Sequence, residues 1–97
     1  MVRNEESEER QDYTFRILKI IYELSDDRTD KAVTIEQIHK EIGAYSIDLI
    51  RSLITYWGNR KFVKAIGTPD RARKFYILQK GIDYMEKELK KNSPSHP

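Results

Sequence analysis

The chain has 97 residues, of which 38% are hydrophobic and 35% charged, and its formal net charge is +2. This size allows one domain with a single modest core. The absence of cysteine excludes disulfides and thiolate metal sites, and two histidines, His39 and His96, cannot by themselves build a zinc site. No run approaches the roughly 20 apolar residues of a membrane span, and no signal peptide opens the chain. We therefore expect a soluble, cytoplasmic protein, with a charge-rich composition typical of thermophile proteins.

The first apolar segment predicts a helix with an unusually wide buried face. Residues 1–12 are polar and acidic and predict a flexible tail or a weak helical extension. In residues 13–24 the apolar positions sweep about 220° of a helix, about twice the usual stripe. These positions are Tyr13, Phe15, Ile17, Leu18, Ile20, Ile21, Tyr22 and Leu24. Either the domain wraps this helix or a second subunit covers part of it.

A polar connection over residues 25–32 separates this helix from the next apolar segment. It ends at Val33, which we expect to add a short strand to a small sheet. Thr34, with Gln37 three residues later, has the spacing of a capping box and predicts the start of a second helix. The buried face of this helix is marked by Ile35, Ile38 and Ile42.

The third predicted helix has two contrasting faces. We expect Gly43 to end the second helix in a left-handed conformation, so that residues 43–45 form a turn of helix-turn-helix length. Ser46 then caps the third helix. The apolar face carries Ile50, Ile54 and Trp57, and the opposite face carries Arg51, Ser52, Thr55 and Asn59. A helix of this kind has the shape and chemistry to enter a DNA major groove.

After Asn59 the apolar period shortens to that of strands. Residues 61–66 and 74–78 are two β-capable runs, and the turn segment GTPDRAR between them predicts an antiparallel hairpin with a basic tip. A last helix starts at Gly81, and residues 92–97 predict a disordered tail. The apolar side chains of that helix are Ile82, Met85 and Leu89.

Basic charge is concentrated in one segment. Residues 60–80 hold seven cations against one acid, Asp70, which gives a local charge of +6. The cations are Arg60, Lys61, Lys64, Arg71, Arg73, Lys74 and Lys80. Such a segment, directly after a candidate recognition helix, indicates an anionic partner.

Two runs carry a resemblance to a known family. Ile50, Ile54 and Trp57, followed by KFV at 61–63, have the spacing of a helix-to-wing junction, and FYILQKG at 75–81 leads into the last helix. Over residues 13–91 the chain resembles winged-helix DNA-binding domains, most closely small MarR-like and PadR-like transcriptional regulators and their archaeal relatives. It differs from them at Lys61, where glycine is usual, and at Leu78, where a capping threonine is usual. The resemblance implies a mainly α fold with a small β-hairpin wing, that is, a winged helix-turn-helix with an additional C-terminal helix.

The resemblance also implies the docking mode. The third helix would enter the major groove of double-stranded DNA, and the basic wing, residues 67–74, would contact the adjacent minor groove or backbone. The candidate contacts are Tyr45, Ser46, Arg51, Ser52, Thr55, Arg71, Arg73 and Lys74. Arg51 suits a bidentate contact with guanine, whereas the carboxylate of Asp48 repels phosphate unless it caps the helix or accepts from cytosine. Leu49 either touches a thymine methyl group or is a stray surface residue.

A homodimer is expected from the same resemblance. Its interface would lie on the first and last helices, at Phe15, Leu18, Tyr22, Met85 and Leu89.

The sequence lacks paired carboxylates in a pocket, a glycine-rich phosphate loop and a nucleophile with a matching base, so we expect neither an enzyme nor a cofactor or metal. Two other uses of the fold remain open. One is a protein-interaction module in a transcription or replication assembly, and the other is RNA binding through exposed Tyr45, Tyr56 or Tyr76.

Overall fold

The computed structural model describes residues 3–67 and 71–91, and describes side chains for residues 13–67 and 71–90. The helices are α1 (Arg3–Leu24), α2 (Ile35–Glu41), α3 (Ile47–Asn59) and α4 (Gln79–Lys91), and the strands are β1 (Val33–Thr34), β2 (Val63–Ile66) and β3 (Lys74–Ile77). This mixed α+β order is the predicted one and is compatible with a winged helix. The predicted tail at 92–97 lies outside the described residues.

Helix α1 begins earlier than its apolar pattern predicts. The apolar period starts at Tyr13, yet the backbone is already helical from Arg3. Ile17, Leu18 and Ile21 are completely buried, because α1 lies against α2, α3, α4 and β3. A large part of the wide apolar arc is thus buried within the same chain.

Side-chain caps fix the starts of the two helices that follow. The hydroxyl of Thr34 accepts from the backbone N–H of Gln37 at 3.1 Å, and the Gln37 side chain accepts from the Thr34 N–H at 2.8 Å. The hydroxyl of Ser46 likewise accepts from the N–H of Leu49, without a reciprocal side-chain bond, so both predicted caps are confirmed. The prediction that Gly43 is in a left-handed conformation is wrong, because Gly67 is the only described glycine with a positive φ. Helix α2 ends instead at Ile42, whose N–H donates to the carbonyl of Ile38.

The three strands form one antiparallel sheet with β3 in the centre, in the order β1-β3-β2. Val33 of β1 lies opposite Phe75, and Val63 of β2 lies opposite Ile77. Phe75 and Ile77 are buried. Both the short strand expected at Val33 and the antiparallel hairpin are confirmed.

A tight turn connects α3 to the sheet. The N–H of Lys61 donates to the carbonyl of Gly58 and that of Phe62 to the carbonyl of Trp57, both at 3.0 Å. Lys61 has a φ of 68°, in the left-handed region that glycine occupies without strain. Lys61 therefore adopts the left-handed backbone conformation that suits the glycine expected at this position by resemblance. The carbonyl of Phe62 then accepts from the N–H of Leu78 at 2.9 Å, which ties the start of β2 to the start of α4.

We expect opposite effects from adding a methyl group at two helical glycines. A Cβ at Gly81 would lie 2.5 Å from the carbonyl oxygen of Phe62, whereas a Cβ at Gly58 would lie 3.7 Å from that of Val63. Gly81→Ala should lower the free energy of unfolding by about 1–3 kcal/mol through overpacking. Gly58→Ala should raise it by about 0.5–1 kcal/mol, because alanine loses less entropy in a helix. Urea denaturation measures both, and equal effects would contradict the close approach at Gly81.

Candidate nucleic-acid interface

Helix α3 presents one buried and one exposed face, as its sequence predicts. Ile50, Ile54 and Trp57 are at most 4% exposed, and they pack into the core. The exposed positions are Ile47, Asp48, Leu49, Ser52, Thr55, Tyr56 and Asn59. The predicted contacts Ser52 and Thr55 therefore lie on the accessible side of the helix. The hydroxyl of Thr55 donates to the carbonyl of Arg51 at 2.9 Å.

The first turn of α3 is exposed at the surface. The hydroxyl oxygen of Ser46 accepts from the N–H of Leu49 at 3.1 Å. Asp48 lies in the same turn, where a negative side chain interacts favourably with the helix dipole. The N–H groups of Leu49 and Ile50 both donate to Ser46, so the start of α3 is capped within the chain.

Arg51 connects α3 to the segment that precedes β3. Its Nη1 donates to the carbonyl oxygen of Ala72 at 2.6 Å, and the side chain is half-buried. Ala72 is only 1% exposed. The guanidinium predicted to read guanine therefore has a structural partner inside the chain. Because the two residues are 21 positions apart, local sequence patterns carry no signal for this contact.

The cations of the hairpin are exposed but lie at different places. Arg71, Arg73 and Lys74 are all exposed, as predicted for the basic wing. Nη2 of Arg73 lies 3.6 Å from Oε2 of Glu36 on α2, and both side chains are more than 60% exposed. A pair this exposed contributes little to stability. Arg73 thus lies beside α2, and residues 68–70 of the wing lie outside the described residues.

A cleft of about 320 Å³ separates α3 from the hairpin. Ile54, Val63 and Phe75 line its apolar part, and Arg51, Lys61, Lys64 and Asn59 contribute polar groups. Lys61 and Lys64 were counted in the basic segment but were not among the predicted contacts. Their position at the cleft brings positive charge between the exposed face of α3 and the hairpin. The clustering of cations over residues 60–80 is the signal that points to them.

Tyr45 lies in the core instead of on the predicted DNA surface. Its side chain is 8% exposed, and its ring packs edge-on against Tyr13 with centroids 5.2 Å apart. Tyr76 is half-buried, whereas Tyr56 is 44% exposed. The guanidinium of Arg60 lies over the Tyr56 ring at 4.9 Å from its centroid. Of the three tyrosines considered as stacking platforms, Tyr56 is the most accessible, and one face of its ring is already occupied.

The predicted dimer residues divide into two groups. Leu18 and Met85 are completely buried in the core of their own chain, so they offer no surface to a second subunit. Phe15, Tyr22 and Leu89 are partly buried and pack against the edge of the core. Burial, with smaller contributions from nearby carboxylates, raises the pKa of the Tyr22 phenol, which is therefore neutral near pH 7.

The described part of the chain contains no group of three or more His, Cys, Asp or Glu side chains arranged to hold a metal ion. Within the same residues, no helix has the length and apolarity needed to cross a membrane. No protein-family model matches the chain, and no curated protein or solved structure gives a significant match. We therefore infer function from the geometry of α3, the hairpin and their charges.

The contact between Arg51 and Ala72 predicts a structural role for this arginine. Arg51→Ala should lower the free energy of unfolding by about 1.5–3 kcal/mol, because it removes a charge-assisted hydrogen bond from a half-buried site. Its exposed neighbour provides the control, since Ser52→Ala should change the same free energy by less than about 0.5 kcal/mol. Denaturation in urea compares the two variants. Equal free energies of unfolding for Arg51→Ala and Ser52→Ala would show that the arginine contributes nothing to holding α3 on the hairpin.

Proposed function

We propose that the protein is a small winged-helix transcriptional regulator that binds double-stranded DNA sequence-specifically. Helix α3 enters the major groove, and the basic wing lies on the adjacent minor groove or backbone. One observation carries this proposal. The exposed face of α3 lies beside the basic segment 60–80, which holds a local charge of +6 and contains the hairpin, and the bond from Arg51 to Ala72 joins helix and segment.

Shape supports the major groove as the place where α3 binds. The groove is about 12 Å wide, which admits an α-helix. The exposed side chains of α3 are short or neutral along most of its length, and its N-terminus is accessible. This end can enter the groove with its exposed side chains facing the base edges.

Charge supports the position of the hairpin. All seven cations of residues 60–80 are exposed. Lys61 and Lys64 lie at the cleft beside α3, and Arg71 and Lys74 lie on the hairpin. Cations at the cleft and along the hairpin can reach phosphates that flank a groove occupied by α3. Contacts of this kind give most of the affinity and make it sensitive to salt.

The proposal is tested by selecting duplexes from a random pool with the purified protein and titrating the selected duplex across a salt series. We expect preferential binding to the selected sequence and an affinity that falls steeply as salt rises. Equal affinity for selected and random duplexes would contradict sequence specificity. Absence of binding to any duplex at low salt would contradict DNA binding and would point to an acidic protein partner for the hairpin.

Charge removal on the hairpin should weaken binding to every duplex. Arg71→Gln with Lys74→Gln removes two cations, and the slope of log K against log salt should decrease by about 1 for each lost phosphate contact. Lys87→Gln with Lys90→Gln on α4 removes the same charge elsewhere and serves as the control. We expect the control to bind almost like the wild type in fluorescence anisotropy. Equal losses in both double variants would show that net charge, and not the hairpin, determines affinity.

We further propose a homodimer whose interface is limited to the partly buried side chains Phe15, Tyr22 and Leu89 on α1 and α4. A twofold dimer would present two α3 helices to half-sites about one helical turn apart. We expect a dimer mass by light scattering at micromolar concentration and a monomer for Leu89→Glu. Ile66→Glu on β2, where the wild-type side chain is 46% exposed, is the control and should stay dimeric. A monomeric wild type would overturn the dimer and leave intramolecular burial to explain the width of the α1 arc.

A further inference from the structure

We propose that Leu49 reads the methyl group of a thymine, so that preferred sites carry an A·T pair opposite the first turn of α3. This inference rests on the proposed binding of double-stranded DNA and adds a base preference to it. Three observations on α3 support it. They concern the guanidinium of Arg51, the side chain of Leu49 and the carboxylate of Asp48.

The one cation of helix α3 is engaged within the chain. Guanine presents two acceptors in the major groove, and Arg or Lys is the usual partner. Arg51 is the only cation in residues 46–59, and one N–H of its guanidinium donates to the carbonyl of Ala72 at 2.6 Å. This bond holds the half-buried guanidinium at the segment before β3, whereas the exposed side chains of α3 are neutral, apolar or acidic.

Leu49 is an apolar side chain held at the surface on a fixed backbone. It is 36% exposed, and its N–H donates to the cap Ser46. The apolar group that base edges offer in the major groove is the C5 methyl of thymine. Thr55 lies farther along the exposed face, and its hydroxyl already donates to the carbonyl of Arg51. Its methyl group is therefore compatible with the methyl group of thymine, and its hydroxyl oxygen, as an acceptor, is compatible with the amino group of the paired adenine.

Asp48 favours a base that presents an amino group at the same place. An ionised carboxylate only accepts hydrogen bonds, so it is attracted to an amino group and repelled by the acceptors of guanine. The A·T pair is the base pair that presents both an amino group and a methyl group in the major groove. The carboxylate of Asp48, an acceptor, and the adjacent apolar side chain of Leu49 match that combination.

The test replaces single thymines by deoxyuridine in a duplex selected from the random pool. This exchange removes only the methyl group and leaves Watson–Crick pairing unchanged. We expect the wild type to bind one or two substituted duplexes about 3- to 10-fold more weakly, the loss that follows from one lost apolar contact. Leu49→Ala should bind the thymine duplex more weakly by a similar factor and should not discriminate uracil from thymine.

Ile47→Ala is the matched control. Ile47 is also 36% exposed and lies in the same turn, but it points about 200° away around the helix axis. This variant should keep the preference for thymine. Leu49→Asn is close to leucine in side-chain length and shape and provides a second variant if alanine impairs folding, and it should lose the preference as well.

The outcomes separate this inference from the proposed function. Equal binding of thymine and uracil duplexes by the wild type would overturn the role of Leu49 and leave DNA binding intact. A thymine preference that persists in Leu49→Ala would assign the methyl contact to another residue and also overturn it. Failure to bind any duplex would overturn the proposed function itself.

Discussion

Strand β3 holds the hairpin, α2 and α3 in one arrangement, although it is only four residues long. It pairs with β1 on one side and β2 on the other. Two further contacts fix the segment just before it, because Arg51 donates to the carbonyl of Ala72 and the N–H of Ile35 donates to the carbonyl of Arg73. These two backbone carbonyls link α3 and α2 to the start of β3, in addition to the packing of α3 in the core. A displacement at the start of β3 would change the distance between the exposed face of α3 and the hairpin cations.

Local chemistry explains why most of the fold is predictable from the sequence. The caps at Thr34 and Ser46 involve residues three positions apart, and the apolar periods of α2, α3 and the strands are set by neighbouring residues. The start of α1 is different. Residues 3–12 have no apolar period, so their helical backbone follows from good helix formers such as Glu, Arg and Gln and not from a buried stripe.

The site was less predictable than the fold because its side chains can either contact a partner at the surface or pack within the chain. Charge counting correctly located the exposed cations of the hairpin, since charged side chains rarely become fully buried. It could not show that Arg51 is engaged by a carbonyl 21 residues away, because such contacts depend on tertiary structure. Tyr45 presents the same difficulty, because a tyrosine beside a turn suits either a surface contact or the edge of a core, and here it packs on Tyr13.

The aromatic cluster at the end of α3 has a practical consequence. Trp57 is the only tryptophan of the chain and is 4% exposed. Its indole N–H donates to the carbonyl of Thr14 on α1 at 2.7 Å, and its ring stacks on Phe62 with centroids 5.2 Å apart. One fluorophore thus lies where α1, α3 and the start of β2 meet. Its emission is an intrinsic optical signal for the separation of α1 from α3, and it can be followed during unfolding or titration without attaching a dye.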